Sequence, residues 1–320
     1  MQTLAWTVIR RLDGVFQGEH ETLFHGVGMR MSDIREYQPG DDVRHLDWNV
    51  SARTGTLHVR TFHEERELTA WFLVDVSASL ACASGGPSKR LVARQAIGTL
   101  AGLLVRHGDR VAAMLDDGHD ASTVRLLPPG GSKSHVVRLL EMLDAPADIA
   151  SHPSSVESGH DGTRLAPMLQ RACAVIRRRS LVVLVSDFLA APGWEAALRR
   201  LAHRHDVLCI RIHDPAEMEL PDVGLVTIED SESGEQCLVD TSDPVIRERY
   251  AGITAQRRLA LQQACAMAGA DLLEIGTQES LLNRWVGYLA WRKRRRTMPA
   301  AVRASPRPTP ADTRVADAMP

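Results

Sequence analysis

From residue 71 onward, short apolar runs alternate with longer segments of helical periodicity, which confines this part of the chain to a parallel sheet with helices on its faces. Trp71–Val76 opens the pattern. Lys89–Arg106 follows, with Leu91, Ala96, Leu100, Leu103 and Leu104 near helical spacing. After His107-Gly108-Asp109, Arg110–Leu115 supplies the next strand, completing one βαβ unit. Thr123–Leu127 reads as a short edge strand, Ser134–Leu143 as a helix, residues 145–162 as loop, and Thr163–Arg178 as an amphipathic helix. Ser180–Val185 is the most strand-like run. Trp194–Ala202 reads as helix, Asp206–Ile212 as strand, Gly224–Asp240 as a polar hairpin turning at Ser231–Gly234, Pro244–Ala268 as a long helix, Asp271–Ile275 as a last strand, and Ser280–Arg292 as the closing helix.

Residues 1–70 are organised differently, with scattered glycines, a Pro39-Gly40-Asp41-Asp42 turn and an alternating segment Leu57–Glu64. They are too poor in apolar residues to hold an independent core, so a small N-terminal lobe of a few helical turns and a short β element is expected to pack against the main sheet. Residues 71–292 form the main α/β domain, and 293–320, rich in Pro, Ala and Arg, are expected to be a disordered tail.

The net charge of −2, from 38 basic and 40 acidic residues, argues against a general polyanion binder. Eight basic and two acidic residues from Arg292 to Pro320 nevertheless give the end of the chain +6 against −8 for the remainder. The basic run Arg292–Arg296 is read first as a solvated helix end and only second as a nucleic-acid or anionic-lipid contact. Five widely spaced cysteines without a C-x-x-C pair point to a reducing compartment. The N-terminus lacks a signal-like apolar core and no stretch approaches about 18 apolar residues, so a cytoplasmic protein without a transmembrane segment is expected.

Asp75, Ser77 and Ser79 stand where the buried run Trp71–Val76 ends, the place where open α/β sheets collect ligands. Oxygen donors at alternate positions suit Mg²⁺, with Mn²⁺ an alternative, whereas Zn²⁺ would want His or Cys nearby. Asp187 ends a second buried run, and Thr163 follows a glycine at the start of a helix. The histidines His203, His205, His152 and His160 lack metal-ligand spacing and are read as solvated. Gly130-Gly131-Ser132-Lys133-Ser134 fails the phosphate-loop spacing and reads as a helix-starting turn.

The set Asp75, Ser77, Ser79, Thr163 and Asp187 resembles the metal-ion-dependent adhesion site of a von Willebrand factor A domain. The resemblance implies that the Ser77, Ser79 and Thr163 hydroxyls approach the ion directly, while Asp75 and Asp187 act largely through water. An open coordination position would then accept a carboxylate from a partner protein.

Ahead of that domain, Arg35-Glu36-Tyr37, Pro39-Gly40-Asp41-Asp42, Arg44-His45-Leu46-Asp47-Trp48, Ser51-Ala52-Arg53 and Glu64-Glu65-Arg66 run in close succession. Together with the metal loop they resemble the signature of domain-of-unknown-function family fifty-eight. The resemblance covers about residues 10–290, and it implies an adaptor or chaperone-like component working with a MoxR-type AAA ATPase. Many members of that family carry N-terminal membrane helices, which are not seen in this sequence. Within the block, Trp48 is expected to anchor the small lobe, and Arg44, Asp47, Arg53 and Glu65 to form an ion-pair network. Arg35, Tyr37 and Asp41 complete this structural or partner-binding set.

Two function classes lead, with a nucleic-acid-associated factor acting through the basic tail as a third, weaker reading. One is a non-enzymatic, Mg²⁺-dependent protein-binding module; the other is a metal-dependent hydrolase using the same residues, for which Asp187 would serve as base. Neither Asp75 nor Asp187 has a His or Lys beside it in sequence, which favours the binding module.

Overall fold

The computed structural model describes residues 30–39, 41–63, 68–116, 124–145, 165–230 and 234–297. Its centre is a six-stranded sheet built from β3 (Thr69–Asp75), β4 (Arg110–Asp116), β5 (Arg125–Gly130), β6 (Leu181–Ser186), β7 (Asp206–His213) and β10 (Asp271–Gly276). The strand order is β10-β7-β6-β3-β4-β5. Every neighbouring pair is parallel except β4 with the edge strand β5. Two prolines, Pro128 and Pro129, are tolerated in β5 because an edge strand need not donate on both sides.

Alternation along each strand divides the core in two. Phe72, Val74, Val183, Ile210 and Ile275 face one side. There they meet α2 (Lys89–Arg106), α3 (Lys133–Asp144) and α7 (Leu281–Thr297) through Leu100, Leu139 and Trp285. Leu73, Met114, Val182, Leu184 and Cys209 face the other side. Their partners there are α4 (Leu165–Val175), α5 (Glu195–Arg204) and α6 (Pro244–Ala268), through Leu169, Leu198 and Leu261. This is the mostly parallel, helix-flanked α/β architecture expected from the sequence. Burial of both sheet faces explains why the strands read as unbroken apolar runs.

The helix ends follow local chemistry. Ser132 caps α3 through the amide of His135, so the glycine-rich turn starts a helix as expected. A hairpin of β8 (Leu225–Glu229) and β9 (Gln236–Asp240) fills the place of the expected polar hairpin. Among the described residues, no helix is long and apolar enough to cross a membrane.

In the N-terminal part, β1 (Arg30–Glu36) and β2 (His58–His63) pair antiparallel, and α1 (Trp48–Thr54) lies between them in sequence. The expected role of Trp48 is overturned: it is 68% exposed, because it is the first residue of a two-turn helix and projects outward. Its neighbour Asp47 is the buried residue, capping α1 by accepting from the amides of Asn49 and Val50. The expected ion-pair network also differs. Arg44 pairs with Asp42, Arg35 forms a two-pronged pair with Asp41, and Arg53 is exposed without an ion pair among the described residues. Glu65 lies outside the described residues. Asp41 closes the Pro39 turn through its amide to the Gln38 carbonyl and its carboxylate to the Gln38 amide. Tyr37 continues the lobe by donating its amide to Leu57.

Replacing Asp47 with alanine should lower stability by about 1 kcal/mol, the usual loss for a helix cap. Denaturant titration of the Asp47→Ala protein would show it, with Asp47→Asn closer to wild type.

A candidate cation-binding site at the switch point of the sheet

The chain runs from β3 to β4 on one side, while the other neighbour of β3 is β6, so the order of strands reverses between β3 and β6. Loops leaving adjacent parallel strands on opposite sides of such a point diverge, opening a crevice at their carboxyl ends. Asp75 ends β3, Ser186 ends β6, and Val74 and Val185 are register partners immediately before them. Five positions singled out from sequence are therefore reduced to two loops that meet here and to Thr163, which lies outside the described residues.

The first loop is tightly built. Asp75, only 1% exposed, accepts from the Ser77 amide at 3.0 Å on one carboxylate oxygen and from the Ser186 hydroxyl at 2.7 Å on the other. Ser77 and Ser79, both buried, bring their hydroxyls within 3.0 Å of each other. A short 3₁₀ turn, Ala78–Ala81, produces that approach by folding the two alternate positions onto one side.

The second loop is strained. Phe188 has a positive φ of 59°, unfavourable for a bulky residue, and it follows Asp187 directly. The turn is held by the Phe188 amide donating to Ser186 and the Leu189 amide donating to Asp187, while the Phe188 ring leans on Trp194 with centroids 5.6 Å apart. The strain directs Asp187 inward, where it is 1% exposed.

The residue that sequence reasoning missed is Lys89. Its ammonium, also fully buried, donates to Asp187 at 2.7 Å and to Glu217 on the 3₁₀ turn Pro215–Glu217. Burial alone would lower a lysine pKa, but Asp187 and Glu217 together raise it, so the ammonium stays charged. Glu217 is itself fixed, accepting from the Asp214 amide at 3.1 Å. Asp214 in turn takes the Ser84 hydroxyl and, at 3.1 Å, that of Thr277, tying the loops after β3, β7 and β10 together. The one available sequence signal for Lys89 is a cation in the first turn of a helix, where the helix dipole disfavours it.

Whether these residues suit a hard cation is decided by the donor set. Buried hydroxyls and carboxylates meet within two loops, the oxygen-rich set that a hard cation takes, and the nearest thiol in sequence, Cys82, is exposed and turned to the Ala78 carbonyl. Burial first, and then the Asp187 carboxylate, push Asp75 up to about 7, against the lowering effect of its Ser77 and Ser186 hydrogen bonds. A pair of buried carboxylates under such mutual repulsion is relieved by a cation. The Ser77 and Ser79 hydroxyls with the Asp75 and Asp187 carboxylates are the donor types that a hard dication such as Mg²⁺ or Mn²⁺ would take. Lys89 already neutralises part of the Asp187 charge.

The histidine expectation is corrected in one place. His203 is exposed as expected, but His205 is 5% exposed, because it ends α5 where the chain turns into β7. His152 and His160 lie outside the described residues. A third histidine carries a pH prediction: burial, and then the Arg211 cation, push His213 down to about 4. It is neutral in the fold while an unfolded histidine titrates near pH 6.5. Its contribution to stability is therefore present above that pH and lost as pH falls toward 4. His213→Gln should spare roughly 2 kcal/mol of the stability lost between pH 7 and 5, measured by denaturant titration at each pH.

An uncharacterized protein of Mycobacterium tuberculosis is 35% identical over 294 residues, spanning 92% of this chain and 89% of that one. Among solved structures, the conserved hypothetical protein BatB from Bacteroides thetaiotaomicron overlays with a TM-score of 0.43 at 14% identity, covering 71% of this chain and 99% of that one. A von Willebrand factor type A protein from Catenulispora acidiphila gives 0.36 at 11% identity, over 72% and 43% of the two chains. The profile described as "Protein of unknown function DUF58" matches residues 33–260, and with that match the chain belongs to the DUF58 family.

Proposed function

We propose that this protein is a non-enzymatic protein-binding module that engages an acidic residue of its partner through a Mg²⁺-dependent adhesion-type site, working as an adaptor or chaperone-like component with a MoxR-type AAA ATPase. The observation that carries the reading is the approach of the Ser77 and Ser79 hydroxyls, 3.0 Å apart, beside the buried carboxylates Asp75 and Asp187 at the switch point of the sheet. Ser77 and Ser79, joined by Thr163, would hold the ion, with Asp75 and Asp187 orienting its water. When bound, the ion supplies an electrophilic position for a carboxylate ligand. Mn²⁺ would serve in its place.

What the chain itself does is hold this geometry. Ser186 fixes one oxygen of Asp75 and the Ser77 amide the other, so the loop does not reorganise when a ligand arrives. Asp187 is similarly committed: the Leu189 amide takes one oxygen and Lys89 the other. Each carboxylate oxygen keeps a further lone pair, with which Asp187 can orient a water on the ion.

The N-terminal lobe of residues 1–70 is proposed as a second contact surface, since Trp48, Arg44 and Arg53 are exposed on it. Exposed Trp and Arg are the side chains that most often anchor protein interfaces. Titrating the full chain against the MoxR-type AAA ATPase in Mg²⁺ and in EDTA tests the proposal. Binding should require the metal and should be lost in a folded Ser77→Ala, Ser79→Ala double variant. Binding indifferent to both would move the interface to the lobe and overturn the metal bridge.

A further inference from the structure

Lys89 is a cation placed against two physical rules at once. It stands in the first turn of α2, whose dipole repels positive charge, and its side chain is fully removed from water. A surface lysine would have suited the helix better, so the ammonium has to be explained by what it touches: Asp187 at 2.7 Å and Glu217. Two features of the pairing matter. Asp187 belongs to the candidate cation site, whereas Glu217 belongs to the turn after β7. Glu217 is also pre-set by the capping box at Asp214 and is a quarter exposed, so it holds its place independently of the cation site.

From this geometry we propose that Lys89 is the built-in counter-ion of the cation site: it competes with a divalent ion for the charge of Asp187, lowers the affinity of the site, and keeps ion binding readily reversible. The inference rests on the metal-dependent reading given above. Glu217 is the fallback partner. When Asp187 turns its charge to a bound ion, the ammonium keeps a carboxylate and is not left buried and unpaired, which would cost far more than the exchange. Without Lys89, Asp187 would present its full charge, and a dication would bind more tightly. Without Glu217, Lys89 would depend on Asp187 alone and release it less readily.

The test uses the full chain and Mn²⁺ as the probe, with free Mn²⁺ followed by its electron paramagnetic resonance signal. Lys89→Met should bind Mn²⁺ about tenfold or more tightly than wild type, because an ammonium next to the site is removed while its shape is kept. Glu217→Gln should bind it about threefold or more weakly. Melting in EDTA and in Mn²⁺ gives a second readout: the ion should raise the midpoint of Lys89→Met more than that of wild type. Should Lys89→Met fail to fold, the Glu217→Gln protein alone decides the question, since its side chain is partly solvated. Wild-type binding that is unchanged in both variants would overturn the counter-ion role and leave the metal reading standing. Absence of Mn²⁺ binding in all three proteins would overturn both together.

Discussion

Replacing Asp187 with alanine is expected to destabilise the fold by about 3 kcal/mol, a loss seen in denaturant titration with EDTA present. The reason is the ammonium that remains. Lys89 is fully buried at the start of α2, and Asp187 is one of its two carboxylate partners. Removing one partner of a buried pair leaves charge without compensation, which is why such deletions are costlier than loss of the whole pair. Glu217 limits the damage by keeping one contact, so the effect should fall at the lower end of the range for broken buried pairs. The same logic predicts coupling. Adding Lys89→Met to Asp187→Ala should restore about 1 kcal/mol or more relative to the sum of the single changes. Additive losses would mean that the pair contributes nothing as a pair.

The second large effect is structural. Phe72→Ala should cost about 3–5 kcal/mol, because a fully buried aromatic is lost from the middle of a central strand. Phe72 faces the cluster of α2, α3 and α7, and its register partners Val183 on β6 and Ala113 on β4 are equally buried. Because β3 carries Asp75 and the serine loop, the variant should also weaken any ion binding at that site. Urea titration measures the first effect, and a loss below about 1 kcal/mol would show that the core repacks around the void.

The sheet was legible because its strands are buried on both faces and its helices carry a clear period: Lys89–Arg106 and Pro244–Ala268 appear in the structure with the ends read from sequence. Short-range capping chemistry at Ser132 and the β8–β9 hairpin were legible for the same local reasons. What local rules could not supply were the pairings made across the fold. Lys89 meets Asp187 across 98 positions and Glu217 across 128, separations at which no sequence spacing carries a signal. Trp48 misled because a large apolar side chain reads as core, yet at the first position of a short helix it projects outward, and the small carboxylate beside it takes the buried place. His205 misled in the opposite sense, following Arg199, Arg200 and Arg204 in sequence and still buried at the end of α5. Residues 146–164, Thr163 among them, and those from Met298 onward lie outside the described residues, and α7 runs to Thr297, past the helix end expected at Arg292.

In the proposed mode of binding, the hydroxyls of Ser77, Ser79 and Thr163 hold a divalent ion, two buried carboxylates orient its water, and a partner is bound through the ion. The most direct measurement is the affinity of the full chain for the MoxR-type ATPase in Mg²⁺, compared with EDTA and with the Ser77→Ala, Ser79→Ala variant. Binding that is strong in Mg²⁺ and lost in both other conditions is the predicted result. Binding of equal strength in all three would contradict it.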